Sequence, residues 1–569
     1  MSTHARPLAE HLAALSDADL SELFSERDVR PDVGWQDFFD AAEALLEPAS
    51  LARVLPRLTL GEARTLQRMA AGERADNSDD RRTLERLALV RPDGELPPPV
   101  ATAVSDRPAL APSSSHHQGQ ADDRAAAHAA ERAFTTVATI ADLLLAAKDR
   151  SFALLAGGTL SAGERRHLAD SGVATESVDH LLAIASSAGL VAVGDRRLHA
   201  TDIADQWLRS SVSERWSELA RGFRDALPRG IRSGRGGWIP LADWPQAHPW
   251  DSAWPERSAA LTEQARLLGL VADDGTEPAW AAPLRDGRDP DPASLTALLP
   301  AEVDRIFLQN DLSAISPGPL APALDVRLRT VAARESAAQA STYRFTPESV
   351  ARALVAGESE ESLVRFLETV SLTGIPQPLR YLIAQTAQRH GLVRVSTDAE
   401  TGRTRIESAD PHLVDAIAVD QTLRPLSLTK HVGSLTTRVG RDTVYWALTD
   451  ARYPATLVDE DGTVLTGERH APVTTPEAGS NDYTSLIAAL RSHQGPDADA
   501  AWLDRELEAA VRAKAVLRVT VGMPDGSTRE LLLEATGLGG GRLRGRDKAA
   551  DVERTLPVSS IRAATVIAQ

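Results

Sequence analysis

The sequence predicts an α+β chain, predominantly helical and divided into several domains. Three observations predict it. The length of 569 residues exceeds what a single core usually organises. Over most of that length apolar residues recur at helical spacing, punctuated by caps, Pro and Gly. A stretch near the end alternates instead with the period of a strand.

The first 103 residues read as a helical domain. Ser16-Asp17-Ala18-Asp19-Leu20 is a cap followed by an acidic first turn. Helices follow over Asp37–Glu47, Pro48–Leu55 and Leu60–Met69, with Pro48 and Pro56 setting the breaks. Residues 1–60 hold eleven acids and five Arg, a net of −6. This is either a solvated acidic face or a docking surface for a basic partner. Residues 104–130 are a polar linker containing the His116-His117 pair. No patterned carboxylate accompanies that pair, so no metal site is assigned.

A helix ending in Leu-Val and followed by a polar hairpin then recurs. It stands at Leu89-Val90, Leu190-Val191, Leu270-Val271 and Leu392-Val393. Helices followed by a short hairpin are the pattern of winged-helix units. The fullest example lies in 131–225, with Thr175 as N-cap, Glu176 in the first turn, and Val178, Leu181, Leu182 and Ile184 inward. A second such segment spans 226–300. Between 224 and 254, Arg224, Arg229, Arg232 and Arg235 adjoin Trp238, Trp244, Trp250 and Trp254. Interleaved Arg and Trp either stack on single strands or anchor a loop-rich segment to the core.

Residues 301–410 form the best-punctuated module. Asp304–Gly318 is an apolar strand or short hairpin ended by Pro317-Gly318. A helix places Leu320, Leu324, Leu328 and Val331 on one face. Thr346 caps the next helix, with Pro347 at its first position. Ser359, Glu360 and Glu361 open another, whose inward face is Leu363, Phe366 and Leu367. Gly374-Ile375-Pro376-Gln377-Pro378 is a stiff connector. The last helix buries Leu379, Leu382 and Ile383 and ends in Arg389, His390 and Gly391. Leu392–Val395 returns as a strand, which makes a β-α-α-α-β unit.

This unit resembles the domain shared by XPB-type DNA helicases and actinobacterial helicase-associated proteins. The matching residues are Phe307-Leu308-Gln309-Asn310-Asp311-Leu312, Ser316-Pro317-Gly318-Pro319-Leu320, Glu335-Ser336, Tyr343-Arg344-Phe345 and Pro376-Gln377-Pro378-Leu379-Arg380-Tyr381-Leu382-Ile383. Leu8–Leu12 and Leu51–Leu55 extend the resemblance to the N-terminus. It implies a partner, an XPB-type helicase. Gln309, Tyr343, Arg344, Gln377 and Arg380, which packing does not require, are the expected contacts to DNA or to that partner.

Residues 411–467 are a helical and β extension with one helix around Arg441–Leu448, and 468–485 are a linker. In 486–569 a helix over Trp502–Lys514 precedes a hairpin, Val516–Val521 and Glu530–Glu534, turning at Pro524-Asp525-Gly526. Further strands follow at Gly539–Asp547 and Arg554–Ile561. This end resembles the small SH3- or Sm-like β-barrel of WYL-type bacterial regulators, although Arg518-Val519-Thr520 stands where Trp-Tyr-Leu would fall. From 511 onward ten basic and six acidic residues give +4. Arg542, Arg544 and Arg546 alternate on one strand face and are the expected phosphate contacts.

Composition excludes several functions. There is no cysteine, hence no disulfide, thiolate nucleophile or Cys-based metal site. No apolar run approaches the ~20 residues of a membrane span, and the N-terminus has no apolar signal core, so the cytoplasm is the expected location. The net charge of −18 repels phosphate overall, so nucleic-acid contact has to be local and salt-sensitive. None of Lys148, Lys430, Lys514 and Lys548 follows a Gly, so there is no Gly-x-x-x-x-Gly-Lys phosphate loop. His-Glu-x-x-His and Gly-x-Ser-x-Gly are also missing. The pairs Asp79-Asp80 and Asp273-Asp274 read as solvated turns. The expectation is a non-enzymatic accessory protein of DNA repair and metabolism, without cofactor or metal. The alternative is a WYL-type transcriptional regulator that senses a nucleotide or nucleic-acid ligand.

Overall fold

The computed structural model describes residues 5–567 apart from 74–77, 111–115, 171–172, 174–176, 338–340, 400, 460–463, 466–480, 493–495 and 524–525. Thr175 and Glu176, Ser113–Ser115, the Pro524-Asp525 turn and most of the 468–485 linker lie outside these residues. Over the described residues the chain is α+β, about half helical, with four small sheets.

The first hundred residues fold as helices at Ala5–Ala14, Asp17–Glu26, Phe38–Leu46, Pro48–Val54, Leu60–Ala70, Asp79–Arg86 and Pro98–Ser105. The expected cap at Ser16 forms, accepting from the Asp19 amide, and the structure adds a capping box of Thr59 and Glu62. Asp79-Asp80 sits in the first turn of a helix capped by Ser78, not in an open turn. The core of this region also takes in Trp250, Tyr483, Leu486, Ile487, Leu490 and Trp502. The later helices Thr484–Ser492 and Pro496–Ala513 thus reach back to the first residues. The Tyr483 hydroxyl donates to the Val29 carbonyl at 2.7 Å. Arg491 pairs with Asp17, and Arg505 with Asp37 and Asp40. Part of the acidic N-terminal face therefore has a basic partner in the chain itself.

The second region runs Asp123–Asp149 helix, β1 (Phe152–Ala153), helices Ala162–Asp170 and Val178–Ser187, then β2 (Val191–Gly194) and β3 (Arg197–Ala200). These strands make one sheet, ordered β1-β3-β2. The β2–β3 turn holds Asp195 and Arg196 at φ 51° and 58°, as a two-residue hairpin loop of this twist requires. Polar residues before the long helix are pinned, since Gln118 bonds the Gly275 carbonyl and Gln120 bridges Glu277.

The tryptophans are core, not a stacking surface. Trp238, Trp244, Trp250 and Trp254 are all buried. Indole N–H groups tie irregular backbone to that core: Trp244 to Ile239, Trp254 to Trp244, Trp216 to Leu268 and Trp280 to Gly269. Each buries a large apolar body while satisfying its one donor. Gly269, at φ 66°, lets this backbone approach the long helix. A Cβ there would meet the Ala129 carbonyl at 2.4 Å.

Of the four Leu-Val sites, two open hairpins, β2–β3 and β8 (Val393–Thr397) with β9 (Thr404–Ser408). Leu89-Val90 and Leu270-Val271 lead only to hydrogen-bonded turns at Arg91–Gly94 and Ala272–Gly275. The next helical segments begin too soon, at Pro98 and Ala279, for a ladder to grow.

The central module packs a sheet, ordered β4-β5-β7-β6, against helices Pro322–Val331, Pro347–Val355, Glu360–Val370 and Gln377–Arg389. Its strands are β4 (Phe307–Leu308), β5 (Ser313–Ser316), β6 (Ala333–Ala337) and β7 (Ser341–Arg344). The expected caps at Thr346 and Ser359 form, and Leu328, Val331, Leu363, Leu367, Leu379 and Ile383 are buried. The β-α-α-α-β order is corrected in three places. The described residues of the module give four helices, not three. A hairpin, β6–β7, intervenes after the first helix, written in an Ala- and Ser-rich stretch of weak strand propensity. The returning strand β8 leaves the module: it pairs with β9 and, in parallel, with β12 (Ala455–Val458). It thereby joins the sheet β10-β11-β9-β8-β12-β13, with β10 (Thr429–His431), β11 (Ser434–Thr437) and β13 (Val464–Leu465).

The C-terminal strands are β14 (Val516–Gly522), β15 (Thr528–Gly539), β16 (Arg542–Asp547), β17 (Val552–Pro557) and β18 (Ile561–Ile567). They form one antiparallel sheet, ordered β17-β16-β15-β14-β18. The expected closed barrel is not found among the described residues: β17 and β18 are the two edges. Leu503, Leu507 and Ala510 pack beneath the sheet.

Candidate functional site

Two surfaces carry the residues singled out by sequence, and the structure sorts them. Tyr343 is not a surface residue. It is 1% exposed because β7 turns Tyr343 inward, opposite Ala314, and Thr342 and Arg344 outward. Its hydroxyl donates to Asp325 Oδ1 at 2.6 Å. Burial, with the Asp325 charge beside it, pushes the phenol well above its ordinary value.

Asp325 belongs to a partly buried ion network. It pairs with Arg329 at 3.0 Å, and Arg329 reaches Asp142 of the long 123–149 helix at 2.6 Å. Arg334 of β6 also pairs with Asp142. Burial raises the Asp142 carboxyl, and the neighbouring Arg329 pulls it back. The network ties the module to the preceding helical region, and Tyr343 is its brace.

Arg344 faces outward but is engaged. It forms a fork on Glu335 and donates to the Asp311 carbonyl at 3.1 Å. Gln309, Gln377 and Arg380 are exposed. Arg380 pairs with Glu368 at 3.0 Å, both half-exposed. Residues 306–308 run beside 371–373, joined by Ile306–Ser371 pairing and by Thr373 bonding both backbone groups of Leu308 at 3.0 Å. Ile306 and Leu308 point inward, so Phe307 points out at 39% exposure, and its neighbour Leu372 stands at 54%. The chain continues through Pro376 to the 377–389 helix, where Tyr381 is 66% exposed. Phe307, Gln309, Leu372, Gln377, Arg380 and Tyr381 are the exposed side chains of these consecutive segments, called the rim below. Of the three apolar members, Phe307 was legible as alternation at 306–308 and Tyr381 as an outward position left by Leu379, Leu382 and Ile383; Leu372 carried no such signal.

The C-terminal sheet carries the second surface. Arg542, Arg544 and Arg546 are exposed, with Leu543, Gly545 and Asp547 buried between them. The three are not equivalent. Arg546 pairs with Asp551 at 2.7 Å and has Glu534 and Glu553 as cross-strand neighbours. Arg542 and Arg544 have no ion-pair partner among the described residues. Their neighbours are Gly539 and Gly537 on β15 and Pro557 and Thr555 on β17. A Cβ added at either Gly would meet nothing within 4 Å. These two guanidinium groups thus stand beside bare backbone that a ligand can approach closely.

His116 contacts Asp243 at 2.6 Å. Among the described residues no group of three or more His, Asp and Glu is placed to hold a metal. No helix among them is long and apolar enough to cross a membrane.

Residues 306–431 match the family model of the helicase conserved C-terminal domain. The match starts at the strand that orders the rim, takes in the whole helical module and ends in β10. This part of the chain is helicase-related. No curated protein matches the chain.

Proposed function

We propose that the chain is a non-enzymatic accessory protein of DNA repair and metabolism, acting in the cytoplasm at the nucleoid with an XPB-type DNA helicase. The observation that carries this reading is the helicase-related segment 306–431 in a sequence without a phosphate-binding Lys loop. ATP hydrolysis then belongs to the partner. The rim of Phe307, Gln309, Leu372, Gln377, Arg380 and Tyr381 is the docking surface in this reading. It mixes aromatic anchors with an Arg, the composition of binding hot spots. Arg542 and Arg544 are the local DNA contact in this reading, suited to phosphate because they have no ion-pair partner among the described residues and have Gly as cross-strand neighbours.

Two arrangements support the finer domain readings. The order helix-β1-helix-helix-β2-β3 over 123–200 supports a winged-helix-like unit. A helix, five strands with the last returning beside the first, and a short 3-10 turn before that last strand support an SH3/Sm-like C-terminal unit. That strand order also favours the second reading, a WYL-type regulator. Ligand dependence separates the two. A regulator binds a defined promoter and responds to a small ligand; an accessory factor binds the helicase without one. Direct binding of the purified chain to an XPB-type helicase tests the first reading.

A further inference from the structure

A cavity of about 340 Å³ opens between the N-terminal helices and the Trp-rich segment. Arg57, Arg229, Arg257 and His248 line it, together with Glu26 and Leu58. No element of the helicase-related segment contributes to it. Its wall is held in place from several directions. The Leu60 amide donates to the Ala247 carbonyl at 3.0 Å. His248 is 7% exposed, and its Nδ1 lies 3.1 Å from the Leu58 carbonyl, so that nitrogen is the N–H donor. The Trp254 ring packs edge-on against the imidazole at 4.4 Å. A Cβ on Gly230 would fall 2.5 Å from His248 Nε2, so only Gly lets the backbone back onto the ring.

The charges converge. Arg229 is oriented by Glu62 at 2.8 Å. Arg257 pairs with Asp251 and lies over the Trp254 ring at 5.2 Å. Arg57 is exposed and has no partner among the described residues. The one carboxylate in the wall, Glu26, is met by Arg86 at 3.2 Å. Burial lowers the His248 imidazole, and the charges of Arg257 and Arg229 lower it further. Three guanidinium groups line one concave wall; Glu62 and Asp251 offset two of them, and Arg57 is left without a counter-charge among the described residues. Such planar forks match phosphate oxygens. The volume lies at the small end of ligand pockets, roughly 300–1,000 Å³, which suits a small molecule and not a polymer.

We propose that this cavity binds the phosphate group of a small phosphorylated ligand, of nucleoside-monophosphate size or less, between Arg57, Arg229 and Arg257. The test is calorimetric titration of the full chain with inorganic phosphate and with adenosine monophosphate. At least one probe should bind saturably, about tenfold more weakly to Arg57→Ala, which loses an exposed side chain without internal contacts. Arg542→Ala, on the C-terminal sheet, should bind as the unaltered chain does. The bound anion should also raise the His248 titration midpoint by NMR, because it offsets the cations that depress it. The proposal is overturned if neither probe saturates by about 10 mM, if Arg57→Ala and Arg257→Ala both bind unchanged, or if Arg542→Ala abolishes the signal.

Discussion

Replacing Arg542 and Arg544 together by Ala should lower the salt dependence of DNA binding by about 1.8 units. The figure comes from the environment of each Arg. A cation that neutralises a phosphate releases counterions worth ~0.9 in the slope of log K against log salt on duplex DNA. Arg542 and Arg544 are unpaired among the described residues and face Gly539 and Gly537. Both are therefore free to contribute the full amount. Outward residues on one strand are about 6.7 Å apart, so two guanidinium groups can meet separate phosphates. Arg546 already pairs with Asp551 and has acids on both neighbouring strands; Arg546→Ala should change the slope by less than about 0.5. Fluorescence anisotropy with a labelled duplex, between about 50 and 200 mM salt, reads this directly. Over that range the unaltered chain should lose about twelvefold more affinity than the double variant. Equal slopes for the two would refute the assignment of the DNA contact to this sheet, as would a larger effect of Arg546→Ala.

Two further outcomes concern the frame. Asp142→Ala leaves Arg329 and Arg334 facing each other without their shared carboxylate and should destabilise the Pro322–Val331 helix by about 2–4 kcal/mol, read by hydrogen exchange. Tyr343→Phe removes one hydroxyl donor and should cost about 1 kcal/mol. Glu506, buried against the first helix, has its carboxyl raised to about 7 by burial. Its folded-state value lies above the unfolded one, so its favourable contribution is complete below about 4.5 and is lost as pH rises toward 7. Glu506→Gln should flatten that slope in thermal unfolding and stabilise the chain at pH 8 by about 1–3 kcal/mol.

Local chemistry was the legible part of this fold. Ser16, Thr346 and Ser359 cap helices because each needs only its own next turn. The β2–β3 turn follows from Gly194-Asp195-Arg196, and the Arg542–Arg546 alternation from the period of a strand. What escaped was decided at a distance. The β6–β7 hairpin has weak local propensity and exists because β5 offers it a register. β8 looks like the end of the module but finds its partners at 404–408 and 455–457. Arg491 and Arg505 cannot be matched to Asp17, Asp37 and Asp40 from sequence, since more than 450 residues separate them. Tyr343 was misplaced for the same reason. Without β7 its parity was unknown, and its acceptor Asp325 lies on the Pro322–Val331 helix. Phe307 and Tyr381 were legible by parity but are apolar, so a search for polar contacts passed over them.

The central proposal is a chain that docks on an XPB-type helicase through the rim of its helicase-related domain. The most direct measurement is the dissociation constant between the purified chain and that helicase, for the unaltered protein and for Phe307→Asp and Arg380→Glu. Both substitutions lie on exposed side chains and should leave the circular dichroism spectrum unchanged. The predicted result is specific binding that each variant weakens by about tenfold or more, as expected for loss of an interface anchor. Absence of binding, or equal affinity for all three proteins, would contradict the proposal and move the ligand-sensing regulator ahead of it.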